Sequence, residues 1–197
     1  MSVDPSAPTQ GGFPVPPGAG AHLGPSAARY LAPALVAAAV AIGLGAYGRV
    51  HDPAGTAFNL AGFSSTSAVK SWLGTAAFAF VLVQVVSALM LYGRLPGPSW
   101  SAALHRWSGR IAFLVSVPVA VHCLYALGYQ TYSTRVLWHS LLGCFFYGAF
   151  SAKMLLLRTE RLPGRLLPVV AGLVFAALTG IWLSSALWFF RTFGVTT

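Results

Sequence analysis

Acidic side chains are almost missing: Asp4, Asp52 and Glu160 are the only three in 197 residues. None falls inside an apolar segment. Paired-carboxylate acid–base chemistry therefore has no material there, and neither has an ion pathway lined with intramembrane acids. Cysteine is scarce too. Cys123 and Cys144 both sit within apolar segments, where they read as small buried hydrophobes and not as a disulfide framework or a zinc cluster. No Gly-x-Gly-x-x-Gly follows a strand-like segment, and no soluble stretch is long enough to fold around a flavin or a nicotinamide. No nucleophile–base–acid pattern is visible either. An enzyme activity of the chain's own finds little support.

Charge of either sign is low, at 8% of residues against roughly 25% in soluble domains. What fills the chain instead is apolar: 56% of residues are hydrophobic. The composition predicts an all-α, polytopic bundle of about five transmembrane helices in a lipid bilayer, since apolar runs of about 20 residues span a membrane. The spans are expected at about Tyr30 to Tyr47, Ala68 to Tyr92, Leu104 to Leu127, Arg135 to Leu157 and Leu166 to Phe190. Residues 1–28, rich in Pro, Gly, Ala and Ser, read as a disordered tail, and 29–197 as the helical domain. The first apolar run lies deep in the chain and is long enough to be a retained span, not a cleaved leader.

The net charge of +9 does not point to nucleic acid. Its bases cap apolar segments, which is how loops set topology. Arg29, Arg94, Arg106, Arg110, Lys153, Arg158, Arg161 and Arg165 collect on one side; Arg49, Lys70, Arg135 and Arg191 collect on the other. The richer side is expected to face the cytoplasm. The chain then reads as a multi-pass cell-membrane protein with its N-terminus inside and Tyr129, Tyr132 and Trp138 at the outer interface.

Ionisable residues within spans are costly and become functional candidates by default. His122 lies six residues before Gly128 and His139 five after Thr134. At 1.5 Å per residue these are depths of about 9 Å and 8 Å below the outer ends of consecutive antiparallel spans. Two imidazoles at one depth on neighbouring helices can hold a haem iron from both sides. Gly143, one turn below His139, would let a flat macrocycle approach the backbone. Arg135 and Lys70 could pair with propionates. Pro118, four residues before His122, is placed to bend its helix. Each has a plainer alternative. Glycine packs membrane helices, basic residues anchor interfaces, and membrane histidines serve as polar contacts between helices. His105 lies 17 residues from His122, about 25 Å along a helix and turned by about 100°, so one small site cannot use both. It reads as structural or interfacial. His51, in the outer loop, is a fallback partner for either histidine.

The segments Leu104-His105-Arg106-Trp107-Ser108-Gly109-Arg110, Pro118-Val119-Ala120-Val121-His122-Cys123 and Leu137-Trp138-His139 through Ser151-Ala152-Lys153 resemble an actinobacterial membrane family, domain-of-unknown-function family 6529. That name brings no activity with it. More distantly, the His-Arg-Trp-x-Gly-Arg run with a later His in the same span resembles ferric reductase-type and ascorbate-reducible b-type cytochrome membrane domains. That likeness implies haem b held between histidines of neighbouring helices. In ferric reductases the two histidines of one helix share a face and serve two stacked haems. Here the spacing breaks that register, so one haem at most is implied, not a full transmembrane wire. Three functions are in play. The first is a small haem b electron-transfer subunit, with His122 and His139 as axial ligands and a redox protein or a quinone as partner. The second is an accessory or scaffolding subunit without cofactor, and the third, placed last, is a transporter.

Overall fold

The computed structural model describes residues 25–55, 62–159 and 163–197. The expected all-α bundle is what it contains, with no strand among the described residues. Helix α1 spans Pro25–Val50, α2 Thr66–Leu91, α3 Ser101–Val121, α4 Thr134–Leu156 and α5 Leu166–Trp182; a short α6, Trp188–Phe193, completes the set. Proline opens α1, where its missing N–H costs nothing. This start lies inside the expected tail; residues 1–24, with the rest of that tail, fall outside the described residues.

Two of the helices do not end as α-helix. His122–Leu127 continues α3 as a π-helical turn, and Leu183–Leu187 joins α5 to α6 as a second one. The first closes on Gly128, whose φ of +71° is left-handed; a Cβ there would also stand 2.9 Å from the Gly48 carbonyl oxygen. Helices α2 and α4 start on serine caps: Ser65 Oγ accepts from Ala68 N–H at 3.1 Å, and Ser133 Oγ from Val136 N–H at 3.3 Å.

Among the described residues, four stretches are both long and apolar enough to cross a membrane: Arg29–Val50, Thr66–Leu91, Ser101–Leu127 and Leu166–Phe193. The chain is a multi-pass helical membrane protein. Helix α4, at 23 residues, reaches ~34 Å and is long enough, but it is more polar. The reason is positional. α4 packs against both α1 and α5, which shields it, and it carries His139, Ser140, Tyr147 and Ser151 between its neighbours.

Neighbours run in the order α1, α4, α5, α2, α3, and the π turn after α3 returns to α1. The α1–α4 seam is close backbone contact: a Cβ on Gly148 would stand 2.5 Å from the Ala37 carbonyl oxygen. The α4–α5 seam holds the buried cluster Phe146, Ala149, Val174, Ala177 and Leu178. The α2–α5 seam is aromatic and polar, with Phe78 stacked on Trp182 at 4.7 Å and Trp182 Nε1 donating to Thr75 Oγ1 at 3.0 Å. The α2–α3 seam is a polar knot. Gln84 Nε2 donates to the His105 carbonyl and, at 2.8 Å, to Ser108 Oγ; Ser87 Oγ meets His105 Nδ1 at 3.0 Å.

The expectation that α3 and α4 pack as neighbours is corrected here. They are consecutive in the chain, but their main partners are α2 for α3 and α1 and α5 for α4. Across their own gap they meet at a few points: Phe113 stacks on Phe150 at 4.4 Å, the Ser116 and Tyr147 hydroxyls lie 3.0 Å apart, and the Tyr147 hydroxyl donates to the Ser116 carbonyl at 3.1 Å. Beyond that contact, towards residues 128–133, the two helices leave a cavity between them.

Candidate cofactor site

The cavity measures about 490 Å³, within the roughly 300–1,000 Å³ of small-molecule sites. It draws its walls from all the long helices, through Leu44 of α1, Gly74 of α2, Ala120 of α3, His139 of α4 and Leu178 of α5. The walls are mainly apolar. Polar groups lie at the outer end, with Lys70, Arg135 and Tyr129, at the histidines, and at the inner end, with Ser116 and Tyr147.

Helix α4 supplies one wall as a ladder. Arg135, His139, Gly143 and Tyr147 all line the cavity, and their spacing of four residues places them on one helical face, a turn apart. From the outer end inward they give a guanidinium, an imidazole, a bare stretch of backbone and a phenol. Tyr147, hydrogen-bonded to Ser116, forms the floor. On α2, which runs the same way, Lys70 and Gly74 repeat the order of cation, then glycine.

The histidines predicted to meet do line this one cavity. His122 opens the first π turn and is 4% exposed. A π turn holds one residue more per turn than α-helix, so it redirects every side chain that follows; such turns often mark functional sites. His139 is fixed by the second π turn. Its Nδ1 lies 3.1 Å from Ser184 Oγ. That hydroxyl donates to the Gly180 carbonyl at 2.7 Å, so towards His139 it acts as acceptor. A serine bonded in this way favours the tautomer with the proton on Nδ1 and the lone pair on Nε2. Outer hydrogen bonds of this kind set the tautomer of ligating histidines.

The glycines separate into two kinds. At Gly148 and Gly180 an added Cβ would collide with a neighbouring helix, the mark of close packing. At Gly143 and Gly74 an added Cβ would meet no atom within 4 Å. These two do not serve helix–helix approach; they leave open width between facing walls.

Arg135 reaches across to α5 and α6. Its Nη1 donates to the Ser184 carbonyl at 2.6 Å, and its Cζ lies 3.8 Å from the centre of the Trp188 ring. A guanidinium has five N–H donors, so these contacts orient it without exhausting it. Cys123 and Cys144 are free thiols on the cavity wall.

The remaining histidines lie elsewhere. His105 is tied into the α2–α3 knot and does not line the cavity. His51, the fallback partner, is stacked between Tyr47 at 4.9 Å and Tyr125 at 5.0 Å, also away from the cavity. Its buried Nε2 has no hydrogen-bond partner. Among the described residues no three of His, Cys, Asp and Glu are grouped to hold a bare metal ion. The donor set is instead two imidazoles in an apolar slot, which suits a metal carried in its own macrocycle.

The sequence of this fold matches one family profile across residues 30–197. The chain belongs to the family of unknown function DUF6529. The match takes in the whole of the cavity, from Leu44 to Phe189. No curated protein and no solved structure matches the chain. Inference about this DUF6529 member therefore rests on its own residues.

Proposed function

We propose that this DUF6529 protein is a small haem b-binding electron-transfer subunit of the cell membrane, with His122 and His139 as axial ligands. The observation that carries the reading is the cavity itself. Two histidines from consecutive helices share it, α3 and α4 are held apart around it, and Gly74 and Gly143 leave its walls bare. His139 offers Nε2 because Ser184 holds Nδ1–H. Haem, when bound, supplies the one-electron redox couple. The chain's residues supply axial donors, a dry apolar enclosure and cations at the outer end. Were His122 and His139 both to hold the iron, they would favour a low-spin electron carrier over oxygen chemistry. Donor and acceptor would be a second redox protein or a membrane quinone.

A second reading has one observation behind it. The His139–Ser184 and Arg135–Ser184 contacts join α4 to α5, as polar side chains do in bundles that need no cofactor. The protein would then be an accessory or scaffolding subunit.

A reduced-minus-oxidised visible spectrum separates the two. Protein expressed with added haem and purified in detergent should show a Soret band and sharp reduced α and β bands at about one haem per chain, as low-spin bis-histidine ligation requires. His122→Ala and His139→Ala should each lose the pigment, and His105→Ala should keep it. A colourless wild type after adequate haem supply, or pigment retained in both cavity mutants, rejects the cytochrome reading and leaves the accessory subunit.

A further inference from the structure

Lys70 and Arg135 stand on different helices that both run inward from the outer end, and both line the cavity. Arg135 is the second residue of α4 and Lys70 the fifth of α2, so both lie within the first ~6 Å of their helices. Below each, one turn further in, comes a residue of the slot: Gly74 under Lys70, His139 under Arg135. The cations therefore form a rim, and the imidazoles lie beneath it.

Two half-buried cations at the mouth of a mainly apolar cavity attract an anion, because their charges meet there with less water than on an open surface. No acidic side chain among the described residues supplies it. Asp52 is the single acidic residue among the described ones, it is exposed, and it does not line the cavity. Arg135 is held in place by the Ser184 carbonyl and the Trp188 ring, so its guanidinium is preset before any ligand arrives.

We propose that Lys70 and Arg135 form a carboxylate-reading rim, which seats a flat amphiphile with its apolar body inward and its carboxylates at the outer end of the cavity. Taking that amphiphile to be haem rests on the reading above, and the carboxylates are then its two propionates. The rim fixes which edge of the macrocycle faces the outer surface; the histidines alone would hold it in either sense.

The test compares haem b with its dimethyl ester, in which the propionates are neutral. Full-length protein depleted of haem, in detergent, is titrated with each while the Soret band is followed. The ratio of the two affinities is measured in the wild type, Lys70→Gln and Arg135→Gln. The wild type should prefer free haem by about tenfold or more, as a charge-assisted hydrogen bond predicts. Lys70→Gln should shrink that preference while the reduced α band, which reports the axial histidines, stays in place. Arg135→Lys, which keeps the charge, should retain more of the preference than Arg135→Gln. A ratio that is the same in the wild type and both glutamine variants overturns the rim and leaves histidine ligation standing. Failure of the wild type to bind either compound overturns both.

Discussion

Ser184 does more in this structure than its sequence context suggests. Its hydroxyl lies 3.1 Å from His139 Nδ1 and its carbonyl accepts from Arg135, so one residue of α5's π turn positions both the proposed ligand and the proposed rim cation. Ser184→Ala should leave the carbonyl contact but release the His139 ring. Haem affinity should fall by about 10–100-fold, the usual cost of losing the partner that orients a ligating histidine. Haem per chain after extended washing measures it, and an unchanged elution profile on size exclusion shows that the bundle survives. Neither Ser184 nor Gly74 stands out in the sequence. A serine returning a hydrogen bond to the preceding turn is ordinary in a membrane helix, and its link to His139 spans 45 residues. His122, His139, Arg135 and Gly143 were legible because charge-capable or backbone-exposing residues are exceptions inside apolar runs. Their meeting in one cavity followed from depth, which helix rise fixes.

Helix ends were legible to within a few residues, because Ser65, Ser133 and Gly128 mark them chemically. Helix neighbours were not. A short connection brings the end of α3 near the start of α4, but it does not dictate packing along their length. That is decided by close backbone approach at Gly148 against Ala37 and by the Gln84–Ser87–His105–Ser108 knot. Both depend on residues far apart in the chain. The two glycines of α4 make a direct comparison. Gly148→Ala should lower the stability of the bundle by about 1–3 kcal/mol through overpacking. Gly143→Leu should leave thermal stability nearly unchanged while abolishing haem uptake, because its side chain would fill the slot. Melting curves followed by tryptophan fluorescence, together with haem stoichiometry, separate these outcomes. The π turns were also beyond the sequence. Pro118 signals a disturbed helix, but nothing local says that the disturbance is a widened turn beginning at His122.

Across the whole molecule, the Lys and Arg pattern predicts that the 128–133 connection faces outward. A cysteine introduced at Tyr132, which is 78% exposed, should react with a membrane-impermeant maleimide in intact cells. One introduced at Arg94 should react only after permeabilisation. The native thiols lie on the cavity wall and should contribute little background. The reverse pattern would invert the molecule and place the cavity at the cytoplasmic face. The floor made by Tyr147 and Ser116, with Phe113 stacked on Phe150 beside it, has a further effect on a carrier seated above it. A charge driven through the full membrane field changes energy by about 2.3 kcal/mol per 100 mV. On the proposed haem reading, an electron held between His122 and His139, about 8–9 Å below the outer helix ends, would cross only about the outer third of the field. Its transfer should therefore proceed at nearly the same rate in energised and de-energised membranes.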